Sequence, residues 1–149
     1  MGAKVKKVVS RSTLLIAATI AILAMTTAKA ETPLMRMDIP FAFLAGEHTL
    51  PAGNYWVRVD TDFRFLELRP ADGTGAQRVA LAGGQFAVKK VSETNGFLRF
   101  RRYGDIYALE GAYGANSGYG LNAKPSKTEI EVAKAHPEGG AEIEVTPAR

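Results

Sequence analysis

The chain has 149 residues, with 19 Lys and Arg, 15 Asp and Glu, two His and no Cys. Without thiols it offers no cysteine nucleophile, thiolate zinc site, iron–sulfur cluster or disulfide, so the fold must stand on its apolar core. The formal charge of +4 would point to nucleic acid, but the placement of the basic residues takes the support from that reading.

Residues 1–30 divide into three parts. Lys4, Lys6, Lys7 and Arg11 form a positive head, and an uncharged run from Ser12 to Ala28 is centred on Leu14, Leu15, Ile16, Ile20, Ile22 and Leu23. Ala28 and Ala30 then flank Lys29, the small-x-small pattern read by signal peptidase, which predicts an export signal cleaved after Ala30. The run sits at the lower limit of about 17 residues for a spanning helix, so an uncleaved anchor is the rival reading. With Lys4, Lys6, Lys7, Arg11 and Lys29 set aside, 14 of the 19 basic residues remain against 15 acidic ones. That near-neutral mature chain gives no support to nucleic-acid binding. The expected location is the periplasm or the exterior. No second long apolar segment follows, so no transmembrane span is expected in the mature chain.

From Glu31 onward, short apolar runs alternate with Gly, Pro, Asp and Asn. Residues 34–44 predict a first strand that lies at an edge or bends at Pro40, which cannot donate a ladder hydrogen bond. AGEHTLPAG (45–53) reads as a turn-rich link. Residues 54–60 alternate strictly, with Tyr55, Val57 and Val59 on one face and Trp56, Arg58 and Asp60 on the other. FRFLELR (63–69) is a further alternating strand, and RVALAGGQFAV (78–88) another, bulged or bent at Gly83 and Gly84. Residues 97–102 and 106–113 predict a hairpin around Tyr103-Gly104-Asp105. GAYGANSGYG (111–120) reads as a flexible surface loop. Ser126 with Glu129 forms a capping box that opens a helix over 127–135, stopped by His136-Pro137. The closing EIEVTPAR reads as a tail in preference to an added strand.

These elements predict an all-β fold, a small antiparallel sandwich or barrel of six to seven strands with one short C-terminal helix. The expected domain plan is an export signal (1–30), a β domain (31–123), the helix (124–136) and a flexible tail (137–149).

Residues that could carry chemistry are sparse. A serine triad needs a base beside the nucleophile, and only His48 and His136 exist; Ser117 stands one place too late for a nucleophile elbow. Asp60 and Asp62 read as a hairpin turn, since a calcium loop needs six or more oxygen ligands. No metal site and no cofactor are expected. Glu67 and Glu110 lie on candidate strands and are the carboxylates to inspect for glycoside cleavage, with solvent-facing positions as the plainer expectation. The hairpin FLRFRRYGDIYAL (97–109) stands out. It supplies Arg99, Arg101, Tyr103, Asp105 and Tyr107 as candidate binding residues, with Trp56 and Arg58 as further contacts, because arginine and tyrosine combine flat area with hydrogen bonding. A cross-strand ladder of solvated charges explains the same residues without a ligand.

DIPFAFLAG (38–46), LPAGNYWV (50–57), LRFRRYGDIYAL (98–109) and KPSKTEIEVAK (124–134) resemble a family of short exported β-rich proteins of Acidobacteria and similar soil bacteria. The most specific pieces are the LPAG-x-Y turn and strand and the RYGD hairpin, and neither is a catalytic signature. The resemblance implies an exported β domain and carries over no active site.

The function expected from the sequence is therefore a non-enzymatic extracytoplasmic β domain, a binding or envelope-associated module for a protein, glycan or small-molecule partner. One alternative is a small carrier holding an apolar ligand in a barrel lined by Phe41, Phe43, Phe65, Phe86 and Phe100. The other is a hydrolase using paired carboxylates.

Overall fold

The computed structural model describes residues 34–87, 96–114 and 118–148, together with Gly2. The chain divides into two units, Met1–Glu31 and Thr32–Arg149, and every element below belongs to the second. The expected cleavage site at Ala28 and Ala30, Ser117 and residues 88–95 lie outside the described residues. In chain order the elements are β1 (Met35–Ile39), β2 (Phe43–Ala45), β3 (His48–Leu50), β4 (Gly53–Asp60), β5 (Phe65–Pro70), β6 (Gln77–Ala80), β7 (Gln85–Ala87), β8 (Gly96–Tyr103), β9 (Ile106–Gly114), β10 (Tyr119–Asn122), α1 (Lys127–Ala135) and β11 (Ala141–Val145).

Two sheets form. The first is antiparallel in the order β1-β4-β5-β6, and the second runs β11-β8-β9-β10-β7 with β2 added parallel to the start of β9 and β3 paired to β2. Alternation along each strand decides what they enclose. Met35, Met37, Ile39, Val57, Val59, Leu66 and Leu68 point inward from the first sheet and meet Phe43, Leu98, Phe100, Leu109, Ala112 and Leu121 of the second. Each large side chain withdrawn from water in this way contributes roughly 1.5–3 kcal/mol before entropy is counted. The result is the sandwich of the two expected architectures, and the strands do not close into a barrel.

Several strands are shorter and more numerous than the sequence suggests, because the chain changes sheet in mid-run. Pro40 ends β1 at the edge of the first sheet, and the chain crosses to place β2 beside β9. The segment at 78–88, expected as one bent strand, is likewise two: β6 pairs with β5, whereas β7 pairs with β10. Gly83 makes that crossing possible, since a Cβ there would stand 2.6 Å from the carbonyl oxygen of Ala123. The link at 45–53 contains β3, formed when the turn at Gly46 folds His48–Leu50 back on β2.

Two further expectations are corrected. Residues 111–120 are not one flexible loop: β9 runs on to Gly114 and β10 starts at Tyr119, with Gly120 opposite Tyr113. Gly111 and Gly120 reflect close packing, because a Cβ on either would press on the Phe86 ring. The closing segment is not a tail either. β11 pairs with β8 from Ala141↔Arg102 to Val145↔Leu98, and Ile143 and Val145 pack against the core. The alternation EIEV was the signal for it, and its inward residues supply the apolar area a tail lacks.

The helix spans the predicted residues. Ser126 Oγ accepts the Glu129 N–H at 3.0 Å and the Glu129 carboxylate accepts the Ser126 N–H in return, completing the capping box. The β8–β9 hairpin also forms as expected, with Gly104 at φ 59 in its turn. It carries one irregularity: Arg99 faces Gly111 and Phe100 faces Leu109, so Glu110 is an extra, bulged residue. The bulge falls where the edge of β9 passes from β2 to β10, and the Glu110 carbonyl accepts the Ala123 N–H at 2.8 Å.

If β11 is an integral strand, a chain ending at Gly140 is expected to lose about 3 kcal/mol from the exposure of its inward pair and of β8. Thermal unfolding followed by circular dichroism checks this; an unchanged melting temperature would mean a dispensable tail.

Candidate binding face

The outward rows of the first sheet follow from its register. Arg36, Trp56 and Arg69 stand side by side on β1, β4 and β5. The next row is Arg58, Glu67 and Arg78 on β4, β5 and β6, and beyond it lie Asp60, Phe65 and Ala80. Asp38 faces Asn54 at the opposite end. Four arginines and one indole therefore share one face with three carboxylates, Glu67 at its centre and Asp38 and Asp60 at its two ends.

That carboxylate is the organising group. Glu67 is 7% exposed although it points away from the core, because three guanidiniums cover it. Arg58 Nη2 donates to Oε2 at 3.1 Å, Arg78 Nε to the same oxygen at 3.2 Å, and Arg69 Nη2 to Oε1 at 2.9 Å. Burial alone would raise this carboxyl, but the charge of Arg58 and the hydrogen bonds from Arg78 and Arg69 outweigh it and hold it below the usual glutamate range. One negative charge cannot balance three positive ones. The surplus stays on the surface, where Arg69 and Arg78 expose 59% and 67% of their side chains. Phe65 lies beneath Arg58 and Arg78, its ring centroid 5.0 Å from the Arg78 guanidinium and 5.7 Å from that of Arg58. Trp56 is 38% exposed, so the indole rests against its neighbours and leaves part of its surface open to solvent.

The seven candidate residues read from the sequence do not come together. Trp56 and Arg58 lie on this face. Arg99, Arg101 and Tyr103 lie on the outer face of the second sheet, on the far side of the sandwich. There Arg99 is nearly buried: its guanidinium sits 3.8 Å over the Phe86 ring, and Glu142 and Glu144 of β11 approach at 3.3 and 3.4 Å. Arg101 is paired with Glu110, and Tyr103 is 7% exposed with its phenol pushed upward by burial and by the charge of Glu129. Tyr107 turns inward and stacks on Phe41 at 3.9 Å. Asp105 is exposed in the turn, 3.9 Å from Arg102, and with Ile106 and Tyr107 lines a cleft of about 260 Å³ below Thr128 and Val132. The hairpin is thus largely neutralised by its own chain, Arg101 by Glu110 of β9 and Arg99 by the closing strand, expected as a tail.

Glu67 and Glu110 occupy opposite faces and do not converge, and each is engaged by arginine. The five phenylalanines do not line one cavity: Phe41, Phe43 and Phe100 pack edge-to-face in the core, whereas Phe65 and Phe86 lie on outward faces. Asp60 Oδ1 accepts the Phe63 N–H at 2.8 Å, as a turn residue does. Among the described residues no three His, Asp or Glu side chains gather to hold a metal ion. Also among them, no helix is long and apolar enough to cross a membrane. Comparison with protein-family models, with curated proteins and with solved structures finds no match for the chain.

Arg36, Arg69, Arg78 and the role of Glu67 were missed by sequence reasoning. The signal was the turn, which spans 61–64 and so sets Asp60 opposite Phe65 and Arg58 opposite Glu67.

Two substitutions test the electrostatics. Because Glu67 titrates lower in the fold than in the unfolded chain, its stabilisation is complete above the ordinary value of 4.5 and is lost as pH falls through the lowered native value. Glu67→Gln is expected to cost about 1–2 kcal/mol at pH 7, with arginine exposure screening the loss, and the gap should close as pH falls below the ordinary glutamate range. A gap independent of pH would contradict the assignment. Glu129 behaves oppositely. Burial first, then the charge of Glu110, raise its carboxyl, so the ionised form is disfavoured in the fold and stability drops as pH rises through the raised native value. Glu129→Gln keeps the capping acceptor and is expected to raise the melting temperature at pH 7 but not in acid. A lower melting temperature at neutral pH would refute it.

Proposed function

We propose that this chain is an exported, extracytoplasmic binding module, acting in the periplasm or outside the cell, whose contact surface is the outward face of the first sheet. The ligand is anionic, bearing carboxylate, sulfate or phosphate groups. The observation that carries the reading is the surplus of guanidinium charge around Glu67 beside the half-open indole of Trp56. Glu67 holds Arg58, Arg69 and Arg78 in place before any ligand arrives, which lowers the ordering cost of binding. Planar guanidiniums pair with such anions in two-point contacts, and an indole offers flat apolar area at small entropic cost. Binding without catalysis is favoured by the separation of Glu67 and Glu110 on opposite faces.

The leader supports the location. Its charge, apolar run and Ala28–Ala30 pattern are those of a cleaved export signal.

Affinity electrophoresis through polygalacturonate, with dextran as the neutral control, tests the reading. The protein is expected to be retarded by the acidic polymer alone. Arg36→Gln with Arg69→Gln should weaken that binding about tenfold, whereas Arg102→Gln on the other sheet should not. Equal retardation by dextran, or equal sensitivity to Arg102→Gln, would overturn it.

A further inference from the structure

A cavity of about 520 Å³ opens beside this face, between the β2–β3 turn, β6 and the segment leading into α1. Its wall carries Glu47, His48, Arg78, Lys124, Lys127 and Ile130. Arg78 belongs to both places: its Nε bonds Glu67 on the sheet while its side chain borders the cavity. Lys124 and Lys127 are exposed, and neither has an ion-pair partner among the described residues. The carboxylate in this wall, Glu47, already accepts the Lys127 N–H through Oε1 at 3.1 Å, and Ser126 closes the adjoining helix end. The positive character therefore rests on side chains, and it continues the arginine surface without a break at Arg78.

The two edges of the first sheet decide what kind of chain can follow this path. The Arg36 carbonyl at one edge accepts the Ala148 N–H at 2.9 Å, and the Ala80 carbonyl at the other accepts the Lys124 N–H at 3.3 Å. A peptide that bound by adding a strand would find both edges partly taken by this chain itself. A sugar polymer needs no strand edge: its ring face stacks on an indole, and its acid groups reach the flanking cations. Trp56 stands between Arg36 and Arg69, which lie two strand spacings apart, about 10 Å. That places cations on both sides of a stacked ring. A membrane surface would cover the face but leave the cavity unfilled.

We propose that the cavity is a subsite for one charged sugar of an acidic polysaccharide whose neighbouring sugars lie along Arg78 and Trp56. The inference rests on the binding face described above and adds the ligand class and its direction.

The test uses the exported protein and galacturonic acid decamers, titrated by calorimetry and by the fluorescence of Trp56, the sole tryptophan. Lys124→Gln with Lys127→Gln is expected to weaken decamer binding about tenfold while the fluorescence response at saturation persists. Trp56→Ala should weaken it by a similar factor in calorimetry. If the double lysine variant binds the decamer as tightly as the wild type while Trp56→Ala loses affinity, the cavity is no subsite and the face alone binds. If neither variant changes affinity, the face reading itself fails. A single-stranded DNA decamer bound as tightly as the sugar would overturn the ligand class in favour of unselective charge attraction.

Discussion

The constraint on which most of this structure turns is the register that sets Glu67 between Arg58 and Arg78. A carboxylate held 7% exposed on an outward face is tolerable only with charge partners on the neighbouring strands. The same register buries Val57 against Leu68 and Val59 against Leu66 on the reverse side. A slip of one residue would turn those apolar side chains to water and the arginine cluster into the core. Core and surface are therefore specified by one pairing, and the cationic face is a product of the folding pattern as much as an addition to it.

The two outward faces use arginine to opposite effect. On the second sheet, β11 brings Glu142 and Glu144 to Arg99, and the bulge in β9 brings Glu110 to Arg101. Positive and negative groups are matched there, and Arg99 is withdrawn further by the Phe86 ring lying on Gly120. On the first sheet three guanidiniums share one carboxylate and a fourth stands across Trp56. An overall balance near neutrality in residues 31–149 conceals this division. What separates a contact surface from a structural ladder is local imbalance, which composition cannot report.

Much of the local structure was legible in the sequence. Strict alternation marked β4 and β5, the Ser126–Glu129 box marked the helix start, and Gly104 marked the hairpin turn. What the sequence left open depends on long-range pairing. Pro40 and the pair at Gly83 and Gly84 announced interruptions, but only tertiary contact shows that the chain changes sheet at each. The glycines at 111–120 suggested flexibility, whereas Gly111 and Gly120 lie against a phenylalanine ring. Reading β11 as a tail had the widest effect, because it made Arg99 look unpaired, when Glu142 and Glu144 of that strand stand beside it. Trp56 and Arg58 share one face of β4, as the alternation predicted; their neighbours on β1, β5 and β6 required the register.

The most direct test of the account is nuclear magnetic resonance mapping of the arginine Nε–H and tryptophan indole N–H signals during titration with a galacturonic acid oligomer. The account predicts perturbation of Trp56, Arg58, Arg69 and Arg78, with Arg99 and Arg101 unmoved. Shifts confined to Arg99, Arg101 and the β8–β9 hairpin, or no shifts at concentrations where a neutral oligomer of equal length is equally inert, would contradict it.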